Sequence, residues 1–153
     1  MYRHILVPID GSELTTSLVA QAVEFARSHG ARITFFTMIE DYGATQDGAL
    51  MRTLSPEEFE NKLKQRASNV ISKALAVGQA MELVCEGVVR IGTSGMEAYE
   101  EILRVAEEKA CDLIYMASHG RRGLKALALG SQTYKVLTHT HLPVFVAKAK
   151  PPR

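Results

Sequence analysis

The chain has 153 residues, enough for one domain core and too few for two. Hydrophobic residues make up 46% and charged residues 23%, an ordinary globular balance that excludes a disordered chain. With 18 Lys+Arg against 17 Asp+Glu the formal net charge is +1, so no global field exists to hold DNA or RNA, and nucleic-acid binding is not implied.

The first apolar run, His4 to Ile9, is short and β-branched and runs into Asp10-Gly11-Ser12. That predicts a buried parallel strand ending in a turn. A helix follows over 14–29, with Leu14, Leu18, Ala22, Phe25 and Ala26 at helical spacing, Ser12 or Thr15 as cap and Gly30 as stop. Residues 33–39 read as a second strand, and 40–53, with two glycines, as a long mobile loop. Ser55-Pro56-Glu57-Glu58 has the form of a capping box with proline in the first turn. The helix it opens carries Phe59, Leu63, Ala67, Val70, Ile71, Ala74 and Leu75 on one face and is expected to stop at Gly78. A third strand is expected over 82–89. Ser94 to Glu97 reads as a second capping box, opening a helix that turns Tyr99, Ile102, Leu103 and Ala106 inward. A fourth strand over 113–117 leads into the polar turn Ser118 to Gly123, a helix over 131–138 and a last strand over 143–147. The tail 149–153 is expected to fray.

Strands alternating with helices predict one doubly wound parallel sheet with helices on both faces and a single domain over 1–148, and the strand order adopted as the expectation is 3-2-1-4-5. Cys85 and Cys111 form no CxxC and lie in apolar runs, which predicts buried thiols in a reducing compartment. The apolar part of MYRHILVPIDGS is too short for a signal peptide, and no run approaches the ~18 residues of a membrane span. A cytoplasmic location, with no membrane partner, is the expectation by elimination.

Ligands of such sheets bind beyond the carboxyl ends of the strands where the order reverses, here between the first and fourth. The turns at that place are Pro8 to Gly11 and Ala117 to Gly123. Ser118, Gly120, Gly123, Gly130 and Ser131 are small enough to bring backbone N–H groups to a phosphate, and Arg121 and Arg122 add positive charge. The alternative is that these glycines only shape a turn and a helix stop. There is no GxxxxGK[ST] loop and no GxGxxG after the first strand, which argues against a P-loop NTPase and the usual dinucleotide fold. Asp10 either ligates a metal or a sugar hydroxyl, or builds its own turn. His119 either donates to phosphate or packs the loop. The HxH pair His139 and His141 has no further ligands in view and reads as surface.

The opening ILVPIDGS resembles the first strand of the universal stress proteins. ASHGRRGLKALALGS resembles that family's nucleotide loop, a G-x-x-G followed by nine residues and G-[ST], with Gly120 as the second glycine, Arg121 to Leu129 as the nine, and Gly130-Ser131 as the final pair. LPVFVAK is similar to the family's last strand, so the resemblance covers nearly the whole chain. It implies ATP or a related adenine nucleotide, with Mg²⁺. Pro8 and Asp10 would lie near adenine, ribose or metal, with Asp10 as the metal candidate, and Met38 would offer backbone to adenine. Ala117 to Gly123 with Ser131, Gln132 and Thr133 would hold ribose and phosphates. A homodimer through the last strand, at Val144 and Val146, is also implied. One position departs: the family's first loop glycine is Ala117 here. A positive φ at that residue would make alanine costly, whereas a negative φ leaves only a methyl group to place.

The leading expectation is therefore a nucleotide-binding stress-response switch. No clear base or nucleophile stands out, so catalysis is expected to be at most slow ATP hydrolysis. The alternative is a nucleotide-free dimeric interaction module of the same fold. A third possibility is an enzyme acting at a nucleotide α-phosphate, for which so small a domain leaves little room.

Overall fold

The computed structural model describes residues 1–39, 54–93, 95–119 and 129–148. Five strands alternate there with four helices: β1 (His4–Pro8), α1 (Glu13–His29), β2 (Arg32–Ile39), α2 (Pro56–Ala80), β3 (Cys85–Ile91), α3 (Ala98–Glu108), β4 (Leu113–Ala117), α4 (Ser131–His139) and β5 (Val144–Ala147). The sheet is parallel throughout, in the expected order β3-β2-β1-β4-β5. The loop expected over 40–53, Ser94, the turn residues Gly120, Arg121, Arg122 and Gly123, and the tail 149–153 lie outside the described residues.

Strand alternation sorts the core into two layers. Ile5, Val7, Ile33, Phe35, Leu113 and Tyr115 face α1 and α2, where Leu18, Ala22, Ile71 and Ala74 meet them. Leu6, Phe36, Ile114 and Met116 face Ile102, Val105 and Ala106 of α3 and Val136 of α4. The central strands are thus apolar on both sides, which explains why β1, β2 and β4 read as continuous apolar runs.

Local signals explain most element ends. The Ser12 hydroxyl caps α1 at the Thr15 amide, and Gly30 ends it at φ +64°. Ser55 and Glu58 form the expected capping box of α2. Three boundaries differ from the sequence expectation. Helix α2 runs through Gly78 to Ala80, because the chain leaves the helix at Glu82, which sits at φ +59°. Gly78 serves packing instead: a Cβ there would lie 2.8 Å from Cys85 Sγ. Strand β3 therefore starts at Cys85, not at 82. Helix α3 is capped at Glu97 and starts at Ala98, since the Glu97 amide is taken by the Glu100 carboxylate at 3.2 Å.

Cys111 is buried, and burial first, with Asp112 and Glu86 adding, pushes its thiol up to about 12. Cys85 is half-buried, and desolvation raises its thiol as well. Both are poor nucleophiles at neutral pH.

A polar chain crosses three strands at the amino-terminal end of the sheet. Thr34 Oγ1 lies 2.7 Å from His4 Nε2 and 2.9 Å from Glu86 Oε1, and Lys109 Nζ holds the other Glu86 oxygen at 3.0 Å. A carboxylate only accepts, so the Thr34 proton goes to Glu86 and His4 Nε2 must carry the proton that Thr34 accepts. His4 Nδ1 is buried and makes no hydrogen bond of ordinary geometry among the described residues. Burial first, then Arg32, holds the ring below its ordinary pKa of 6.5, against the opposing pull of Glu86, the Lys109 backbone and Asp112. The neutral ring belongs to the folded state. Its contribution is complete above pH 6.5 and is lost as pH falls through the depressed folded value. The midpoint of urea unfolding should fall with acidification below pH 6.5, and His4→Gln should remove the part of that slope due to this ring. Parallel slopes for the two proteins would show that His4 is not responsible.

Candidate functional site

The site begins with a missing hydrogen bond. The Ile9 amide donates to the Phe36 carbonyl at 2.8 Å, so Ile9 faces β2 and, by alternation, the Pro8 nitrogen faces β4. Proline has no N–H to give the Tyr115 carbonyl, the next acceptor on that side. Pairing of β1 with β4 accordingly ends at Leu6 and Ile114. The central ladder is interrupted at the carboxyl end of the sheet, where the strand order reverses.

The turn after β1 is built by its own side chains. Asp10 Oδ1 accepts the Ser12 amide at 2.9 Å and lies 3.1 Å from the Thr15 hydroxyl. This is the turn-building role open to an aspartate in such a position. Gly11 sits at φ +79°, and a Cβ there would meet Val70 Cγ2 of α2 at 2.8 Å. Strain and overlap coincide, so Gly11→Ala should destabilise the protein by about 1–2 kcal/mol. Urea unfolding measures this, and an unchanged midpoint would refute the account of the turn.

The turn after β4 is tied to the start of α4. The Ser118 amide donates to Ala147 O at 2.9 Å, the Gly130 amide donates to Ser118 O at 2.7 Å, and Thr133 Oγ1 donates to Ala117 O at 2.9 Å. The first intrahelical bond of α4 runs from the Tyr134 amide to Gly130 O at 2.9 Å. The amides of Ser131, Gln132 and Thr133 precede it, and Gly130 has no side chain with which to cap them. Their dipoles sum at the helix start, a favourable place for an anion. His119 Nδ1 lies 3.0 Å from Ser118 Oγ, and His119 Nε2 is buried without a partner among the described residues.

Ala117 is an ordinary strand residue. It pairs with Ala147, has no positive φ, and packs its methyl group in the layer beneath α1. The alanine at this position therefore carries no backbone strain. Ala117→Gly should cost about 0.5–1 kcal/mol of stability, as a glycine within a strand does. Urea unfolding measures this, and an unchanged midpoint would refute the account of this position.

Met38 is half-buried near the end of β2, and its methyl group would lie 3.1 Å from a Cβ placed on Gly92. The Gln132 side chain points elsewhere than expected: its Oε1 accepts the Tyr99 amide of α3 at 2.8 Å. Lys135 Nζ lies 2.5 and 2.6 Å from the two Glu97 oxygens. Sequence reasoning missed Thr15, Val70, Tyr99, Glu97 and Lys135. Thr15 had a local signal, as the hydroxyl one turn beyond a turn aspartate. The others meet the site only through tertiary contact. His139 and His141 are exposed, and no group of three His, Cys, Asp or Glu side chains suited to a metal occurs among the described residues.

A doubly wound parallel sheet whose reversal point joins an interrupted ladder to an uncapped helix start defines a class of α/β protein that binds at the carboxyl edge of its sheet. The universal stress protein family model matches residues 1–148, and the chain belongs to that family. It is 30% identical over 158 residues to universal stress protein MJ0577 of Methanocaldococcus jannaschii, a match covering 98% of this chain and 97% of that protein. The solved structure of MJ0577 has a TM-score of 0.79 at 26% identity over 99% of each chain. The fold is shared with a universal stress protein solved in complex with cAMP, at TM-score 0.65 and 17% identity over 97% of this chain and 98% of that one. It is shared too with one from Archaeoglobus fulgidus solved in complex with dAMP, at TM-score 0.59 and 20% identity over 95% and 97%.

Proposed function

We propose that the protein binds ATP or a related adenine nucleotide at the carboxyl ends of β1 and β4 and acts as a nucleotide-dependent switch in a stress response. The observation that carries this reading is the run of amides at Ser131, Gln132 and Thr133, uncapped among the described residues, beside the ladder that Pro8 interrupts. A phosphate chain supplies the acceptors those amides lack. Two fold relatives solved with cAMP and with dAMP agree with an adenine ligand. Pro8, Asp10 and Met38 lie at the ends of β1 and β2 and would receive the base and ribose. Ala117, Ser118, His119 and Gly130 would line the phosphate side. Mg²⁺ enters with the phosphates, which supply most of its ligands, so Asp10 as a single carboxylate fits that role. No helix among the described residues is long and apolar enough to cross a membrane.

Gly130→Asp provides the sharpest test. Aspartate is a better helix cap than glycine, so α4 should be as stable or more so, while the new carboxylate occupies the amides and repels phosphate. Calorimetry should show saturable Mg-ATP binding by the parent protein and a loss of about tenfold or more in the variant, with no fall in melting temperature. No heat from a folded parent protein would remove the nucleotide and leave the interaction-module reading.

The proposed homodimer uses the free edge of β5. Among the described residues only β4 pairs with this strand. Val144 and Val146 are half-buried on one face, and Phe145, 42% exposed, stacks on Tyr115 at 4.6 Å on the other. Val146→Lys should yield a folded monomer by sedimentation equilibrium, since a charge at this edge opposes strand-to-strand pairing. A dimer of unchanged strength would place the interface elsewhere.

A further inference from the structure

We infer that Gln132 is a positioning residue, whose side-chain oxygen fixes the first turn of α4 to that of α3 and so sets the direction of the amides offered to phosphate. The inference rests on the nucleotide-binding reading and deepens it. Gln132 is the second residue of α4, so its backbone N–H is among the uncapped donors. Its side chain sweeps back past the helix start, as side chains in a first turn do, and reaches away from the β1–β4 crevice to α3.

There it meets a helix whose own capping box, Glu97 with Glu100, leaves the Tyr99 amide untaken. Tyr99 is the second residue of α3, and its amide has no acceptor within that helix. The Glu97 carboxylate also holds Lys135 Nζ, at 2.5 and 2.6 Å. Gln132 Oε1 takes the Tyr99 amide at 2.8 Å across a separation of 33 residues. Helix α3 thus gains one further capping contact from α4, and the start of α4 is anchored from two sides. Bonds from Gly130 to Ser118 O and from Thr133 to Ala117 O hold it to β4, while Gln132 and Lys135 hold it to α3.

Anchoring of this kind matters for a site made of backbone donors. Amides bind phosphate only when they point at it together, and a displacement near 1 Å is enough to weaken such a site severely. Loss of the Gln132 tie should therefore affect phosphate and spare the base, which binds beside β1 and β2. The rest of the α3–α4 contact survives without it. Ile102, Val105, Ala106 and Val136 are buried together, and the Tyr99 ring packs against His139 at a centroid distance of 4.9 Å.

Gln132→Met keeps the side-chain length and removes the acceptor. Gln132→Asn keeps the amide but is one methylene too short to reach Tyr99, and it serves if the first variant does not fold. Each should speed hydrogen exchange at the Tyr99 amide and weaken Mg-ATP binding by about tenfold, with adenosine binding within about twofold of the parent protein. Parent-like ATP affinity in a variant with fast Tyr99 exchange would overturn the positioning role alone. Equal losses for ATP and adenosine would also overturn it. A parent protein that binds neither ligand would defeat the nucleotide-binding reading and this inference with it.

Discussion

Burial of the central strands on both faces governs the rest of this molecule. Ile5, Leu6 and Val7 of β1 and Ile114 of β4 are shut away beneath two helical layers, so no side chain in mid-strand can reach a ligand. Polar chemistry is pushed to the strand ends. At one end it becomes the closed chain of His4, Thr34 and Glu86, in which nearly every donor and acceptor has a partner. At the other it becomes the end of the β1–β4 ladder and the start of α4, where Pro8 offers no N–H and no described side chain caps the first amides.

The contrast between the two ends follows from covalent chemistry. Pro8 removes a donor that any other residue would have supplied, and Gly130 removes the side chain that would have capped α4. Both are subtractions. Between them they leave a carbonyl edge on one side of the reversal and a set of amides on the other. Asp10, the most conspicuous polar residue there, first serves the turn through Ser12 and Thr15.

Much of the architecture was legible in the sequence, because its signals are local. Short apolar runs, helical spacing and turn signals located every strand and helix now described, and the Ser55–Glu58 box lies where the sequence places it. The errors came where a local signal had a second cause. Gly78 looked like a helix stop but is small because Cys85 lies against it. The Ser94–Glu97 box lost to one starting at Glu97, where Glu100 takes the cap amide. Ala117 looked like a defect in a glycine loop, yet its place in β4 makes a methyl group harmless to the backbone.

The sequence by itself determined the alternation of elements, the parallel character of the sheet and the turns that follow each strand, because apolar runs, helical spacing and turn chemistry act over a few residues. Only the tertiary structure decided what the side chains at that edge do. It turned Gln132 toward Tyr99, closed Glu97 on Lys135, and put Val70 under Gly11. These contacts join residues more than 30 positions apart, and they exist because helices pack on the two faces of the sheet and meet one another and the turns at its edge. No pattern within either segment encodes the other's position, so their roles emerge only when the chain is folded.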